Sequence, residues 1–260
     1  MRKHISFSEL KIWNECAYKH KLVYIDEIKK FLGNEYTAFG TAIHDVCEKT
    51  LTEKTEFDQV ECFNISFLNE LKILQEKSVV LKKGLIEDMR VQGAKLVKYV
   101  LPAVNACFKD YEVVSAEEQL YIPLPETNQN FKGFIDLVLK TKDGMYHVID
   151  WKTCSWGWDS RKKSDKMLTY QLTLYKNFFA RKHNIDPEKI TTYFALLKRT
   201  ANKNCVEIFD VPSGAKKIEN ALKLLNKALY NIEKERFVKN RLSCTSGYGC
   251  EFYNTKYCSR

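Results

Sequence analysis

The sequence predicts an α/β protein: a mixed central β-sheet flanked by helices, with an N-terminal helical subregion and a cysteine-rich C-terminal tail. Three observations carry this. Apolar residues recur at helical spacing over the first 110 or so positions, the period changes to two near Tyr111, and strand-like runs then alternate with helical stretches. A chain of 260 residues can bury a sizeable core, so one domain over 1–260 is expected, with 1–110 mainly helical, 111–211 the sheet core and 212–260 the last helix and tail.

Composition excludes several classes. Apolar content of 45% and charged content of 29% describe an ordinary globular protein, not a disordered or fibrous one. No apolar run approaches the roughly 18 to 20 residues of a membrane span, and MRKHISFSEL lacks the apolar core of a signal peptide. An intracellular, cytoplasmic protein is expected, in a host cytoplasm if phage-encoded. The formal charge of +9 favours an acidic partner, of which polyanions are the commonest.

Ser6-Phe7-Ser8-Glu9 has the form of a capping box, opening a helix through Leu10, Ile12, Trp13 and Cys16 that Tyr18, Leu22 and Tyr24 continue. A polar connector from Lys29 to Asn34 precedes Thr37–His44, where small residues sit just ahead of a histidine. Residues 57–109 read as two longer amphipathic helices, one with Phe63, Phe67, Leu71 and Leu74, the other with Leu85, Met89, Leu96 and Val100. Val113 to Ile122 is a strand ended by Pro123 and Pro125. Leu168 to His183 is helical, Thr191–Lys198 and Cys205–Val211 are strands, and Ala215 to Phe237 is a long amphipathic helix.

The most informative stretch is Gly133–Lys152. Two strand-like runs, Phe134–Leu139 and Met145–Trp151, flank Lys142-Asp143-Gly144, and an Asp-Gly step between such runs marks a hairpin. Each run holds one aspartate in apolar company, Asp136 and Asp150. Such a carboxylate is costly without a compensating cation or hydrogen bonds. Lys152, two residues past Asp150, shares its side of the strand. These are the makings of a divalent-metal hydrolytic site. Glu117 and Glu118 lie on the preceding strand; only one of two adjacent strand residues can face the site, and Glu118 is favoured.

These residues, in order and spacing, resemble the PD-(D/E)xK nuclease superfamily and its RecB-like exonuclease group: His44 on an early helix, Gly133-Phe134-Ile135-Asp136, Ile149-Asp150-Trp151-Lys152, and Gln171 with Tyr175 as a QxxxY motif. Ile135 stands where the superfamily motif has proline. The resemblance implies a restriction-endonuclease-like core and a metal-dependent DNA nuclease, an exonuclease of recombination, repair or phage DNA processing. It implies Mg2+ or Mn2+ held by Asp136, Asp150 and the Trp151 carbonyl, with His44 and Glu118 extending the shell. Lys152 would position the attacking water, and Gln171 and Tyr175, one turn apart, would hold Lys152, the water or the strand. A helicase or recombination protein is an expected partner. Arg161, Lys162, Lys163 and Lys166 would reach phosphates if they border the cleft. The alternative is a nucleic-acid-binding module without catalysis, or an iron-sulfur interaction protein, on the same fold.

Nine cysteines without a secretory context should be thiols or metal ligands. Cys47, Cys62, Cys107, Cys154 and Cys205 lie in apolar segments and read as small core residues. Cys244, Cys250 and Cys258 share the tail with Gly247, Tyr248, Gly249 and Phe252, one short of the four thiolates a cluster or zinc site uses; Cys16 could be the fourth. One early and three late cysteines resemble the iron-sulfur staple of AddB-type and CRISPR-associated RecB-like nucleases, which implies a [4Fe-4S] cluster, with zinc as the alternative.

Overall fold

The computed structural model describes residues 3–28, 31–53, 57–125, 127–247 and 249–259. Met1, Arg2, Lys29, Lys30, Tyr248 and Arg260, parts of the expected N-terminus, connector and tail, lie outside them. Along the described chain run β1 (His4–Ser6), α1 (Phe7–Glu15), α2 (Ala17–His20), α3 (Glu35–Thr52), α4 (Gln59–Glu76), α5 (Lys83–Leu96) and α6 (Val100–Cys107). They are followed by β2 (Tyr111–Pro123), β3 (Asn130–Thr141), β4 (Tyr146–Cys154), α7 (Ser160–Lys163), α8 (Lys166–His183), β5 (Ile190–Lys198), β6 (Val206–Asp210) and α9 (Ala215–Glu233).

The chain gathers into two compact units, one of Met1–Phe31, Tyr121–Gly133 and Gly214–Arg260, the other of Leu32–Leu120 and Phe134–Ser213. The first helices group with the tail, and α3 to α6 group with the sheet.

In the second unit the hairpin is present. β3 pairs antiparallel with β4 through Leu137↔Ile149 to Lys140↔Tyr146, and Gly144 takes φ +82 in the turn, a conformation glycine adopts without steric cost. β4 runs parallel to β5, β5 antiparallel to β6, and β2 also pairs with β3. The sheet is thus mixed, and a helical crossover, α7 and α8, supplies the parallel step. Leu137, Leu139, Ile149, Trp151, Ala195 and Leu197 bury one face against Phe39, Ile43, Phe63 and Phe67 of α3 and α4. Asp136, Asp150 and Lys152 alternate with these residues and so belong to the opposite face.

The helical subregion differs from the two helices expected over 57–109. The second is broken by a 3-10 turn at Val97–Tyr99, followed by α6 with Pro102 in its first turn, where a missing N–H costs nothing. α3 opens on a reciprocal capping box in which Asn34 accepts from the Thr37 amide and Thr37 Oγ1 accepts from the Asn34 amide.

In the first unit β1 pairs parallel with the start of β3, His4↔Asn130 to Ser6↔Lys132, a three-residue strand that hydrophobic periodicity is too short to reveal. Ser6 caps α1 by accepting from the Glu9 amide at 3.2 Å. The single first helix expected is interrupted: Cys16 is extended (φ −162, ψ 113), and α2 starts after it. Glu9 and His20 meet in the interior, Oε1 to Nε2 at 2.8 Å.

Candidate active site

β3 and β4 part company at the aspartates. Pairing ends at Leu137↔Ile149, and continuing the register by one step sets Asp136 opposite Asp150. There the Trp151 amide donates not to a ladder carbonyl but to Asp136 Oδ2, at 2.7 Å. The strand ends are therefore splayed around two carboxylates. His44, from the middle of α3, brings Nδ1 to 3.8 Å from the same Asp136 oxygen and hydrogen-bonds the Trp151 backbone. His44, Glu117 and Asp136 each offer a ligand atom within 4.8 Å of the others.

The glutamate in this group is Glu117, not the favoured Glu118. Strict alternation fails because Glu117 has φ +49, a bulge-like kink inside β2 that re-aims the side chains around it. Glu118 is turned toward α8, accepting from Lys182 Nζ at 2.5 Å and pairing with His183 Nε2 at 2.8 Å. Glu48, one turn beyond His44, adds negative charge near Glu117. Sequence reading passed over it, although the i, i+4 spacing from His44 is a usable signal.

Electrostatics agree with the geometry. Burial, reinforced by the Asp150 charge, raises Asp136 well above the usual carboxylate range. Burial likewise raises Glu117, with Glu48 and Asp150 adding to it, and lowers His44 to about 4. Asp150 is 1% exposed, and Lys152 Nζ lies 2.5 Å from its Oδ2, an ion pair that compensates the buried carboxylate. Mutually repelling carboxylates and a neutral imidazole fit a divalent cation that accepts oxygen and imidazole ligands.

Gln171 and Tyr175 share a face of α8, Gln171 Nε2 donating to Tyr175 Oη at 3.3 Å. Burial first, then the Asp150 charge, holds the Tyr175 hydroxyl protonated far beyond neutral pH. The QxxxY pair thus belongs to the same neighbourhood as the aspartates.

The sequence profile of the PD-(D/E)XK nuclease superfamily matches residues 4–256. The chain belongs to the PD-(D/E)XK nuclease superfamily. Nucleases of this superfamily use divalent metals, which accords with the donor set just described. Among solved structures, the "Putative exonuclease" of Eubacterium rectale aligns with a TM-score of 0.59 at 10% identity, over 94% of this chain and 86% of that one, a likeness of fold. The protein SSO0001 aligns with a TM-score of 0.36 at 12% identity, over 88% of this chain and 90% of that one. No curated protein matches the sequence.

The basic run of this PD-(D/E)XK protein is less free than its sequence suggests. Lys163 is paired with Glu207, which Lys198 also contacts at 3.1 Å; Lys162 lies over the Trp158 ring and Lys166 over Tyr170. Arg161 is exposed. Lys163 is therefore charge-compensated, and the four do not form one uncompensated patch.

In the first unit, Cys16, Cys244, Cys250 and Cys258 all line one cavity of about 200 Å³, with Lys19, Leu22, Asn240 and Phe252. The break at Cys16 turns its Sγ to this cavity, where the Asn240 amide donates to it at 3.3 Å. Among the described residues no three of these sulfurs lie within 4.8 Å of one another. Of the five cysteines read as core, Cys47 and Cys205 are buried, Cys62 and Cys154 are half-buried, and Cys107 is exposed at the end of α6.

No helix among the described residues is long and apolar enough to cross a membrane.

Proposed function

We propose that this protein is a divalent-metal-dependent exonuclease that hydrolyses phosphodiester bonds at DNA ends, working beside a helicase or recombination protein. The convergence of His44, Glu117 and Asp136, with Asp150 opposite, carries the reading. His44, Glu117, Asp136, Asp150 and the Trp151 carbonyl would hold Mg2+ or Mn2+. When bound, the cation supplies a Lewis acid that polarises the phosphate and acidifies water.

The chain's own groups do the rest. The Lys152 ammonium, fixed by Asp150 and 5.8 Å from the Phe194 ring centre, presents positive charge where charge builds on phosphorus and can orient water by hydrogen bonding. The Asp136 carboxylate, anchored by the Trp151 amide, cannot rotate away when a ligand arrives. Tyr175, protonated and steadied by Gln171, offers a hydroxyl that can donate to water or to the strand and accept from Lys152.

We also propose a [4Fe-4S] cluster as a second, structural cofactor, on the ground that Cys16, Cys244, Cys250 and Cys258 line one cavity. Zinc, which takes four thiolates at Zn–S distances near 2.3 Å, is the alternative occupant of the same cavity. The Asn240 amide, which donates to Cys16 Sγ, is the kind of donor that tunes a bound cluster.

The test is cleavage of end-labelled DNA by wild type and Asp150→Ala with Mg2+, Mn2+ or neither. Cleavage by wild type with metal, its loss in Asp150→Ala, and resistance of circular DNA are expected. Metal-independent cleavage, or none on any DNA or RNA end, would overturn the reading.

A further inference from the structure

Beyond the carboxylate group, the same face of α3 leads to an arginine with an unusual set of partners. Tyr36, Gly40 and His44 follow one another at i, i+4 spacing, so they share a helix face about 12 Å long at 1.5 Å per residue. A Cβ built on Gly40 would meet Thr153 Oγ1 at 3.5 Å, ordinary contact, so no packing demand excludes a side chain there. Mid-helix glycine nonetheless costs about 1 kcal/mol relative to alanine. Gly40, half-buried, leaves the stretch between His44 and Tyr36 without a side chain.

At the Tyr36 end, Arg199 stacks its guanidinium 5.3 Å from the Tyr36 ring centre. Its Nη1 donates to Gln92 Oε1 at 2.6 Å and its Nη2 to Ser155 Oγ at 3.1 Å. The backbone is pinned as well, the Arg199 amide donating to Cys154 O at 2.9 Å and Thr200 Oγ1 to Ser155 O at 2.6 Å. Among the described residues every partner is neutral and no carboxylate pairs with it. The charge is fully present, preorganised, and three of the five N–H donors remain for an anion. Tyr36 is 51% exposed, and Trp156, the residue after Ser155, is 74% exposed. Trp156 follows Lys152 by four residues, about 13 Å of extended chain at most.

We infer that Arg199, Tyr36 and Trp156 form a docking point for single-stranded nucleic acid. Arg199 takes a phosphate a few nucleotides from the bond to be cut, and Tyr36 and Trp156 stack unpaired bases. This rests on the nuclease reading and names the form of its substrate. Twelve ångströms is the span of a few nucleotides at about 3.4 Å or more each. Aromatic faces this open are reachable by splayed bases, whereas duplex bases are already stacked on one another.

The test is equilibrium binding of a fluorescein-labelled oligothymidine and of a blunt duplex to the full chain, without added divalent metal. Trp156→Ala, Tyr36→Ala and Arg199→Ala should each weaken single-strand binding about fivefold or more and change duplex binding less than twofold. Tyr36→Phe should bind as wild type, and Arg199→Lys should restore the salt dependence without restoring affinity. Trp156 is too exposed for its loss to threaten folding, so its variant reads cleanly. Unchanged single-strand binding in the variants, equal losses on both substrates, or no single-strand binding by wild type would overturn the inference. Selective losses in a protein that cleaves nothing with any metal would overturn the nuclease reading alone.

Discussion

The Trp151 amide donates to Asp136 Oδ2 at 2.7 Å where β3 and β4 separate, so a backbone group orients a carboxylate that burial and a facing Asp150 would rather see neutral. The cost of holding these charges together appears as lost stability without metal. Asp136→Asn keeps an oxygen for the Trp151 amide and removes the repulsion. Its metal-free melting temperature should equal or exceed that of wild type. Wild type should gain about 2.7 kcal/mol at a Mn2+ concentration 100 times Kd, and the variant should gain little. Calorimetry with and without Mn2+ measures both; an equal metal-induced rise in the two proteins would exclude Asp136 as a ligand.

Glu117 and Glu118 should separate function from stability. Glu117→Gln is expected to weaken Mn2+ binding at least tenfold. Glu118→Gln should leave it unchanged and cost about 1 kcal/mol or less, since Lys182 and His183 are each about a third exposed. Burial opposes ionisation of Glu118, but hydrogen bonds from Lys182 and His183 outweigh it and lower its pKa. A depressed folded pKa places the stabilisation above the ordinary carboxylate range, with loss as pH falls through the lowered value. The gap between wild type and Glu118→Gln in urea titrations should therefore be present at neutral pH and close in acid. A gap that widens in acid would contradict the assigned partners.

What the sequence made legible was what local rules control. The Asp-Gly turn, two apolar runs and period-two alternation place Asp136, Asp150 and Lys152 together from twenty consecutive residues. Glu117 was hidden because one residue at φ +49 breaks the alternation that selected Glu118. Arg199 was hidden for a different reason: its partners Ser155 and Gln92 are 44 and 107 positions away. The break at Cys16 was invisible too, since the helical pattern continues through Tyr18 and Leu22. Only the packing of that turn against residues near Val238 and Asn240 reveals it.

The cysteine cavity yields a compositional prediction. Cys16→Ser, Cys244→Ser, Cys250→Ser and Cys258→Ser should each lower iron and sulfide content in anaerobically purified protein and bleach its brown colour. Cys107→Ser, at an exposed position remote in sequence from the other four, should retain both. Chelation of a structural cofactor should also lower the melting temperature, since its binding energy is folding energy. Zinc in place of iron, or equal metal content in all five variants, would refute the cluster.

Two helix glycines should respond to alanine with opposite signs. At Gly93 in α5 a Cβ would lie 2.0 Å from Phe63 Cζ, inside a fully buried ring that has no room to retreat. Overpacking of this kind costs about 1 to 3 kcal/mol, more than the roughly 1 kcal/mol that alanine recovers in helix propensity. Gly93→Ala should therefore lower the urea midpoint. Gly40 meets nothing closer than 3.5 Å, so Gly40→Ala should raise stability by about 0.5 to 1 kcal/mol. If the open surface at Gly40 serves a passing strand, the more stable variant should also bind oligothymidine more weakly, and Gly40→Leu more weakly still. A Gly40→Ala protein that is both more stable and unimpaired would show that its glycine serves no close approach.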